Sequence, residues 1–340
     1  MNESMTALTP SQTAQEMLLM IDARIPTFLW GPPGIGKSQI TAQVASALGW
    51  NLIDVRLSQL DPVDLRGIPH VNGDGRTHWA QPDFLPRADR DGEHGVLFLD
   101  ELNAAPPSMA AAAYQLVLDR GLGDYKLPPG WVVFAAGNRE TDRGVTSRMP
   151  TPLANRFAHF EVRADVKDWT TWAIKNGLGG ELPAFIRYRP ELLLAFDPRS
   201  GEKAFPSPRS WESVGKLKLR GGVSNITPSV NTYAALIGIG AATELVAFES
   251  LWKSLPDIAH ILANPRTATV PTEPGVLFAV SSAIAMHASE DNFDRVFQYA
   301  ERLPDEYTVF AMTDSVARRE QLTKTRPWQD FTVKYQDILI

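Results

Sequence analysis

Cysteine is absent from all 340 residues. That removes disulfide frameworks, thiolate nucleophiles, Cys-ligated zinc and iron–sulfur clusters together, and it permits a reducing compartment. The six histidines, His70, His78, His94, His159, His260 and His287, follow no HExxH or comparable ligand spacing, so no zinc site is expected. Long apolar runs are missing as well. The richest stretch, Tyr233–Phe248, is interrupted by Gly238, Gly240, Thr243 and Glu244 and falls short of the roughly 18 to 20 residues that a membrane span needs. The opening MNESMTALTPSQTAQEM has no basic segment followed by an apolar one, so neither a signal peptide nor a membrane anchor is expected. Basic residues do not cluster, and 33 of them against 39 acidic ones leave a net charge of −6, which lacks the electrostatic footprint of a duplex-DNA binder. No G-x-S-x-G elbow points to a hydrolase triad. These absences together lead to the expectation of a cytoplasmic protein without membrane contact.

Ordinary globular usage remains, with 44% hydrophobic and 21% charged residues, enough to bury a sizeable core. At about 150 residues per domain the length suggests two domains. Short apolar runs at Thr27–Trp30, Leu52–Arg56, Val96–Leu99, Trp131–Ala136 and His159–Val162 alternate with helical patterns. That alternation predicts an α/β domain over residues 1–163, with a parallel five-stranded sheet and crossover helices. Two of those helices are expected at Ser38–Leu48 and Ser108–Arg120, the second capped by Gly121. An Asn-Gly-Asp-Gly cluster inside residues 68–79 reads as a β-hairpin, and residues 122–131 read as a second hairpin-like loop. Beyond Glu161 the strand signal fades. Residues 164–340 are expected to be helical, with segments at Val166–Asn176, Leu182–Phe196, Arg209–Lys218, Val230–Leu255, Gly275–His287 and Phe293–Leu303.

The sharpest motif is Gly31-Pro32-Pro33-Gly34-Ile35-Gly36-Lys37-Ser38, which follows a strand and opens a helix as the G-x-x-x-x-G-K-[ST] pattern requires. Glycines let backbone N–H groups curl around a phosphate, and the helix N-terminus adds positive potential. Lys37 is placed to reach the β- and γ-phosphates, and Ser38 to offer its hydroxyl to Mg²⁺. About sixty residues on, the apolar run VLFL ends in Asp100-Glu101. Acids at the carboxyl end of a parallel strand face a ligand bound there, which suits Asp100 to the metal and Glu101 to the attacking water. Asn138 closes the WVVFAAG run at a similar place, within reach of a water or the γ-phosphate. Taken alone, Arg156 reads as a surface arginine. Arg209 stands at a helix start, where the dipole disfavours a cation unless an anionic partner is present.

The ordered set GPPGIGKS, VLFLDEL, AAGN, LANRF and SPRSWE, from Phe28 to Trp211, resembles the AAA+ ATPases, and among them the MoxR-like, dynein-related group with an insert in its second helix. The resemblance implies a P-loop NTPase αβα sandwich followed by an all-α lid, here with a helical C-terminal extension. It implies ATP and Mg²⁺ as ligands, and a ring, usually a hexamer of identical chains, with ATP between subunits. Gly31 to Ser38 then correspond to Walker A, Asp100 and Glu101 to Walker B, Asn138 to sensor 1, Arg156 to the arginine finger acting in trans, and Arg209 to sensor 2. Arg143 and Arg148 are further candidates for action in trans. The hairpin at 68–79 corresponds to the helix-2 insert and that at 122–131 to the pre-sensor-1 hairpin, with Val71, Asn72, Gly73, Tyr125 and Lys126 as expected substrate or pore-loop residues. The implied output is remodelling or activation of a partner protein, in many relatives one with a von Willebrand A-type domain. Two other readings are an ATP-gated assembly switch with incidental turnover and a nucleic-acid-stimulated motor as in restriction-type relatives.

Overall fold

The computed structural model describes residues 6–71, 73, 75, 77–142, 149–219 and 227–339, which form two compact units. The first runs to Asp165 and takes in Phe196–Gly201. Its strands are β1 (Ala7–Leu8), β2 (Thr27–Trp30), β3 (Asn51–Arg56), β4 (Ile68–Val71), β5 (Thr77–Ala80), β6 (His94–Asp100), β7 (Gly121–Leu122), β8 (Tyr125–Lys126), β9 (Gly130–Gly137) and β10 (Ala158–Val162). Its helices are α1 (Pro10–Ala23), α2 (Lys37–Ala47), α3 (Pro62–Arg66), α4 (Ala88–Asp91), α5 (Pro107–Asp119) and α6 (Thr151–Ala154).

Six strands make one parallel sheet in the order β1-β10-β2-β9-β6-β3. The expected five are all present. The sixth, β1, extends the edge through Ala7 opposite Glu161 and Leu8 opposite Val162, and two residues are too short to carry a periodic signal. The central strands are apolar throughout because helices cover both faces. Side chains alternate across the sheet, so Phe28, Leu97, Leu99, Val133 and Ala135 join Met109, Ala112, Ala113 and Leu116 of α5 in one buried core. Trp131 anchors the end of that core, fully buried with Nε1 donating to Gly92 O at 2.9 Å.

Helix α5 ends one residue earlier than expected, with Arg120 rather than Gly121 in the left-handed conformation at φ 50°. The Arg120 guanidinium stays by donating to Pro128 O at 3.0 Å and Trp131 O at 2.7 Å. Gly121 instead opens the β7–β8 hairpin. The β4–β5 hairpin pairs Ile68 with Ala80, Pro69 with Trp79, His70 with His78 and Val71 with Thr77. Asp124 of the second hairpin joins the first, accepting from Trp79 N at 3.1 Å.

The second unit, Val166–Ala195 together with residues from Glu202 onward, holds no strand among its described residues. Its helices are α7 (Val166–Lys175), α8 (Glu181–Tyr188), α9 (Pro208–Leu219), α10 (Val230–Ile237), α11 (Ile239–Lys253), α12 (Ile258–Ala263), α13 (Pro274–His287), α14 (Phe293–Ala300), α15 (Asp305–Arg318), α16 (Arg326–Lys334) and α17 (Gln336–Leu339). Two expected helices are shorter than the periodicity suggested. The segment from Leu182 stops at Tyr188, because Arg189 precedes Pro190 and is pushed out of the helical region to φ −126°. The segment from Val230 breaks at Gly238, whose φ of 78° no side chain readily adopts. Residues beyond about 260 pack their own core, in which Ile284, Phe293, Tyr299, Met312 and Phe331 are fully buried. Asp314 lies under it, fully buried, with Arg187 Nη1 at 2.7 Å and Arg318 Nε at 3.0 Å.

Trp131→Ala should destabilise the protein by about 3–5 kcal/mol, since it opens a large cavity and leaves Gly92 O without its donor. Denaturant unfolding followed by far-UV circular dichroism measures this. A loss below about 1 kcal/mol would mean that the sheet end collapses around the gap.

Candidate functional site

The site lies where the parallel sheet ends. Trp30 of β2 is in register with Gly137 of β9, and Leu99 of β6 with Ala135, so the residues that follow these strands emerge side by side. From β2 the chain enters the loop of residues 31–36. Gly34 and Gly36 have φ of 78° and 100°, and Gly36 caps the helix that begins at Lys37. A side chain at Gly36 would meet no atom within 4 Å, so the requirement there is backbone conformation, not space. The helix N-terminus that results presents unpaired N–H groups toward the loop.

Lys37 is 9% exposed. Its Nζ donates to Gly31 O at 2.7 Å, Pro32 O at 3.2 Å and Asn138 Oδ1 at 3.1 Å. Ser38 Oγ donates to Asp100 Oδ2 at 3.2 Å, while Asp100 Oδ1 accepts from Glu101 N at 2.9 Å, so both oxygens of this carboxylate are oriented. Glu101 is one of three described non-glycine residues with positive φ, at 56°, and this left-handed turn swings its exposed carboxylate out of line with the strand. Ser58 Oγ donates to Glu101 Oε2. Lys37, Ser38, Asp100, Glu101 and Asn138 are thus brought together. This donor set fits a nucleotide phosphate chain with a hard divalent cation: a buried ammonium, a glycine loop at a helix start, and a hydroxyl paired with a carboxylate.

Three contributors were not singled out from the sequence. Asn103, in the turn after Glu101, donates from Nδ2 to Asn138 O at 2.7 Å and fixes that strand end. A Cβ at Gly137 would stand 2.1 Å from Asn103 Oδ1, so the glycine of AAGN is required by this contact. Ser58 holds Glu101. Asp54, one pleat below Arg56, carries a carboxyl raised above its usual range by partial desolvation and then by the Asp100 charge, against the opposing pull of Arg56. Asn103 was the most legible of these, as an amide two residues beyond the acid pair.

The remaining expected residues are carried by other segments of the chain. Arg156 is exposed just beyond α6, with Nη1 donating to Pro152 O at 2.9 Å. Arg209 is exposed in the first turn of α9, in the second unit. Val71 is 70% exposed, and Gly73 and Lys126 are exposed. Tyr125 is not presented outward: it is 3% exposed, with its hydroxyl donating to Pro86 O at 2.8 Å, because the hairpin folds its ring into the α5 core. Asn72, Arg143 and Arg148 lie outside the described residues. Among the described residues no group of three or more His, Asp or Glu is placed to hold a metal ion by itself.

A parallel sheet with a glycine loop between its central strand and the next helix, and acids at the end of the next strand but one, defines a P-loop nucleotide-binding domain. Residues 26–157 match the AAA domain of the dynein-related subfamily. The chain is 28% identical over 273 residues to the protein MoxR of Paracoccus denitrificans, covering 78% of this chain and 69% of MoxR. It is 30% identical over 165 residues to midasin of Dictyostelium discoideum, covering 45% of this chain and 3% of that much longer protein. Among solved structures, the ATP complex of NtrX from Brucella abortus aligns over 99% of this chain and 70% of its own, at 12% identity and a TM-score of 0.41. A RuvB variant from Thermotoga maritima aligns over 88% and 87%, at 17% identity and 0.39. Likenesses that loose bear on nothing further. Residues 26–157 thus match an AAA domain of the dynein-related kind, and the chain is similar to the MoxR-like AAA+ ATPases over a longer stretch.

An acid raised in the folded state opposes folding when ionised. For Asp54 that cost is absent below its ordinary 3.8 and complete once pH exceeds the folded value. Asp54→Asn should therefore raise the thermal midpoint at pH 7, with the gain shrinking as pH falls through the carboxylate range. Calorimetry at pH 7 and 3.5 checks this, and equal midpoints at pH 7 would mean that solvent screens the Asp54–Asp100 repulsion away.

Proposed function

We propose that this chain is a Mg²⁺-dependent ATP hydrolase that works as a ring and remodels or activates a partner protein. The observation that carries the proposal is the pair of links across the sheet end, Lys37 Nζ to Asn138 Oδ1 and Ser38 Oγ to Asp100 Oδ2. Together they link an ammonium to an amide and a hydroxyl to a carboxylate at adjacent residues, which supports a phosphate-and-metal site. Lys37 and the loop N–H groups from Gly31 to Ser38 bind the phosphates. Ser38 and Asp100 would hold Mg²⁺, which would supply charge neutralisation to the phosphates during transfer. Glu101 orients the attacking water and accepts its proton, and the left-handed turn at this residue serves that aim. Asn138 hydrogen-bonds the water or the γ-phosphate.

Arg156, exposed and far in sequence from the loop, acts in this proposal on the site of a neighbouring subunit, stabilising charge on the transferred phosphoryl group. Arg209 is the cation of the second unit that responds to nucleotide state. The exposed Ile68 and Val71 of the first hairpin, with Gly73 and Lys126, offer the surface on which a partner protein is gripped, a von Willebrand A-type domain being the expected kind. Mild acidity and the lack of a basic cluster favour a protein partner over nucleic acid.

Glu101→Gln should bind ATP with its affinity kept while turnover falls by about 10²–10⁴-fold. Arg156→Ala should lower turnover by about 10³–10⁵-fold, also with binding kept. Light scattering of Glu101→Gln with Mg-ATP should give about six protomers. A persistent monomer, or turnover unaffected by Arg156→Ala, would favour the assembly-switch reading or a partner that supplies the arginine. DNA-stimulated, salt-sensitive turnover would favour the nucleic-acid motor.

A further inference from the structure

One imidazole bridges the phosphate loop and the segment that carries Arg156. Trp30, the last residue of β2 before the loop, donates from Nε1 to His159 Nδ1 at 3.0 Å. The other ring nitrogen, His159 Nε2, lies 2.7 Å from the carbonyl oxygen of Ala154. An indole N–H can only donate and a carbonyl oxygen can only accept, so the two partners dictate one state of the ring: neutral, with the lone pair on Nδ1 and the proton on Nε2. The ring is held there by aromatic neighbours. Trp30 lies nearly parallel to it at 26°, and Phe28 and Phe157 are at centroid distances of 6.0 and 6.3 Å. The strand register fixes the frame, with His159 opposite Phe28 and Glu161 opposite Trp30.

The far end of the bridge is equally specific. Ala154 is the last residue of α6, so its carbonyl is one of the acceptors that a helix leaves unpaired at its C-terminus. It takes Phe157 N at 3.2 Å and the His159 N–H more closely. Arg156 follows two residues later, with its own backbone N donating to Leu153 O at 2.9 Å. A helix of four residues has little rigidity of its own, so the direction of the Arg156 turn depends on what caps that carbonyl.

We infer that His159 is a positioning residue: it couples Trp30, at the mouth of the phosphate loop, to the α6 turn, so that a shift of the loop on nucleotide binding re-aims Arg156. The inference rests on the trans role proposed for Arg156. The two hydrogen bonds act in series. Breaking either one uncouples the ends as completely as breaking both.

A double-mutant cycle on Trp30→Phe and His159→Phe tests this. Each single variant should lower kcat about tenfold, a size typical of coupling residues, with the Kd for ATP within about twofold of the parent. The double variant should be no slower than either single one. Losses that multiply to about a hundredfold, or a weakened ATP affinity with kcat unchanged, would overturn the coupling and leave two packing residues. Imidazole ¹⁵N spectroscopy of the unmutated protein makes the test independent of variant folding. The Nε2–H tautomer is expected, with an Nδ1 resonance that moves when a non-hydrolysable ATP analogue is added. A proton on Nδ1, or a resonance that ignores the nucleotide, would overturn the inference. Unchanged turnover in Arg156→Ala would instead sink the trans reading, and it would show in a variant whose Trp30–His159 bridge is intact.

Discussion

Taking a lysine ammonium out of water is expensive, and the first unit is arranged around meeting that cost for Lys37. Three oxygens that its ammonium meets come from two places: the carbonyls of Gly31 and Pro32 at the end of β2, and the side chain of Asn138 at the end of β9. They converge only if those strands are adjacent, parallel and in the observed register. Sheet order, register and loop conformation are therefore not separable from the charge they enclose. The same constraint reaches Gly137, where a side chain would displace Asn103 and loosen the strand end that carries Asn138.

The acidic side of the site divides labour among three carboxylates by environment. Asp100 has both oxygens engaged, one by Ser38 and one by the next residue's N–H, and so has a fixed orientation. Glu101 is turned out by its backbone and steadied by Ser58. Asp54 has neither provision, and its carboxyl is raised first by partial desolvation and then by its neighbour's charge. A divalent cation at the proposed site of Ser38 and Asp100 would relieve the repulsion between Asp54 and Asp100.

Much of this was readable along the chain because it is local. Five of the six strands declare themselves as apolar runs, and the glycine loop, the acid pair and Asn138 each sit within a few residues of a strand end. What escaped reading depends on pairing across long separations. Strand β1 exists only because β10 offers an edge. Tyr125 reads as a loop-tip residue, yet its hydroxyl finds Pro86 O, 39 residues away. Ser58 and Glu101 are 43 residues apart, and Trp30 and His159 are 129 apart, so neither pair leaves a periodic trace. The helical unit shows the converse failure: hydrophobic periodicity ran straight through Pro190 and Gly238, where backbone geometry forbids a continuous helix.

The first hairpin raises a different matter, that of self-association. A two-stranded ribbon with Ile68 and Val71 exposed has an edge at β4 that could template a further strand. Pro69 sits in the middle of β4, opposite Trp79, and brings no N–H to any incoming chain. A foreign strand aligned on that edge would lose a rung at its centre, so growth into a fibril is discouraged. The proline thus lets an apolar, exposed element persist in a crowded solution without becoming a seed.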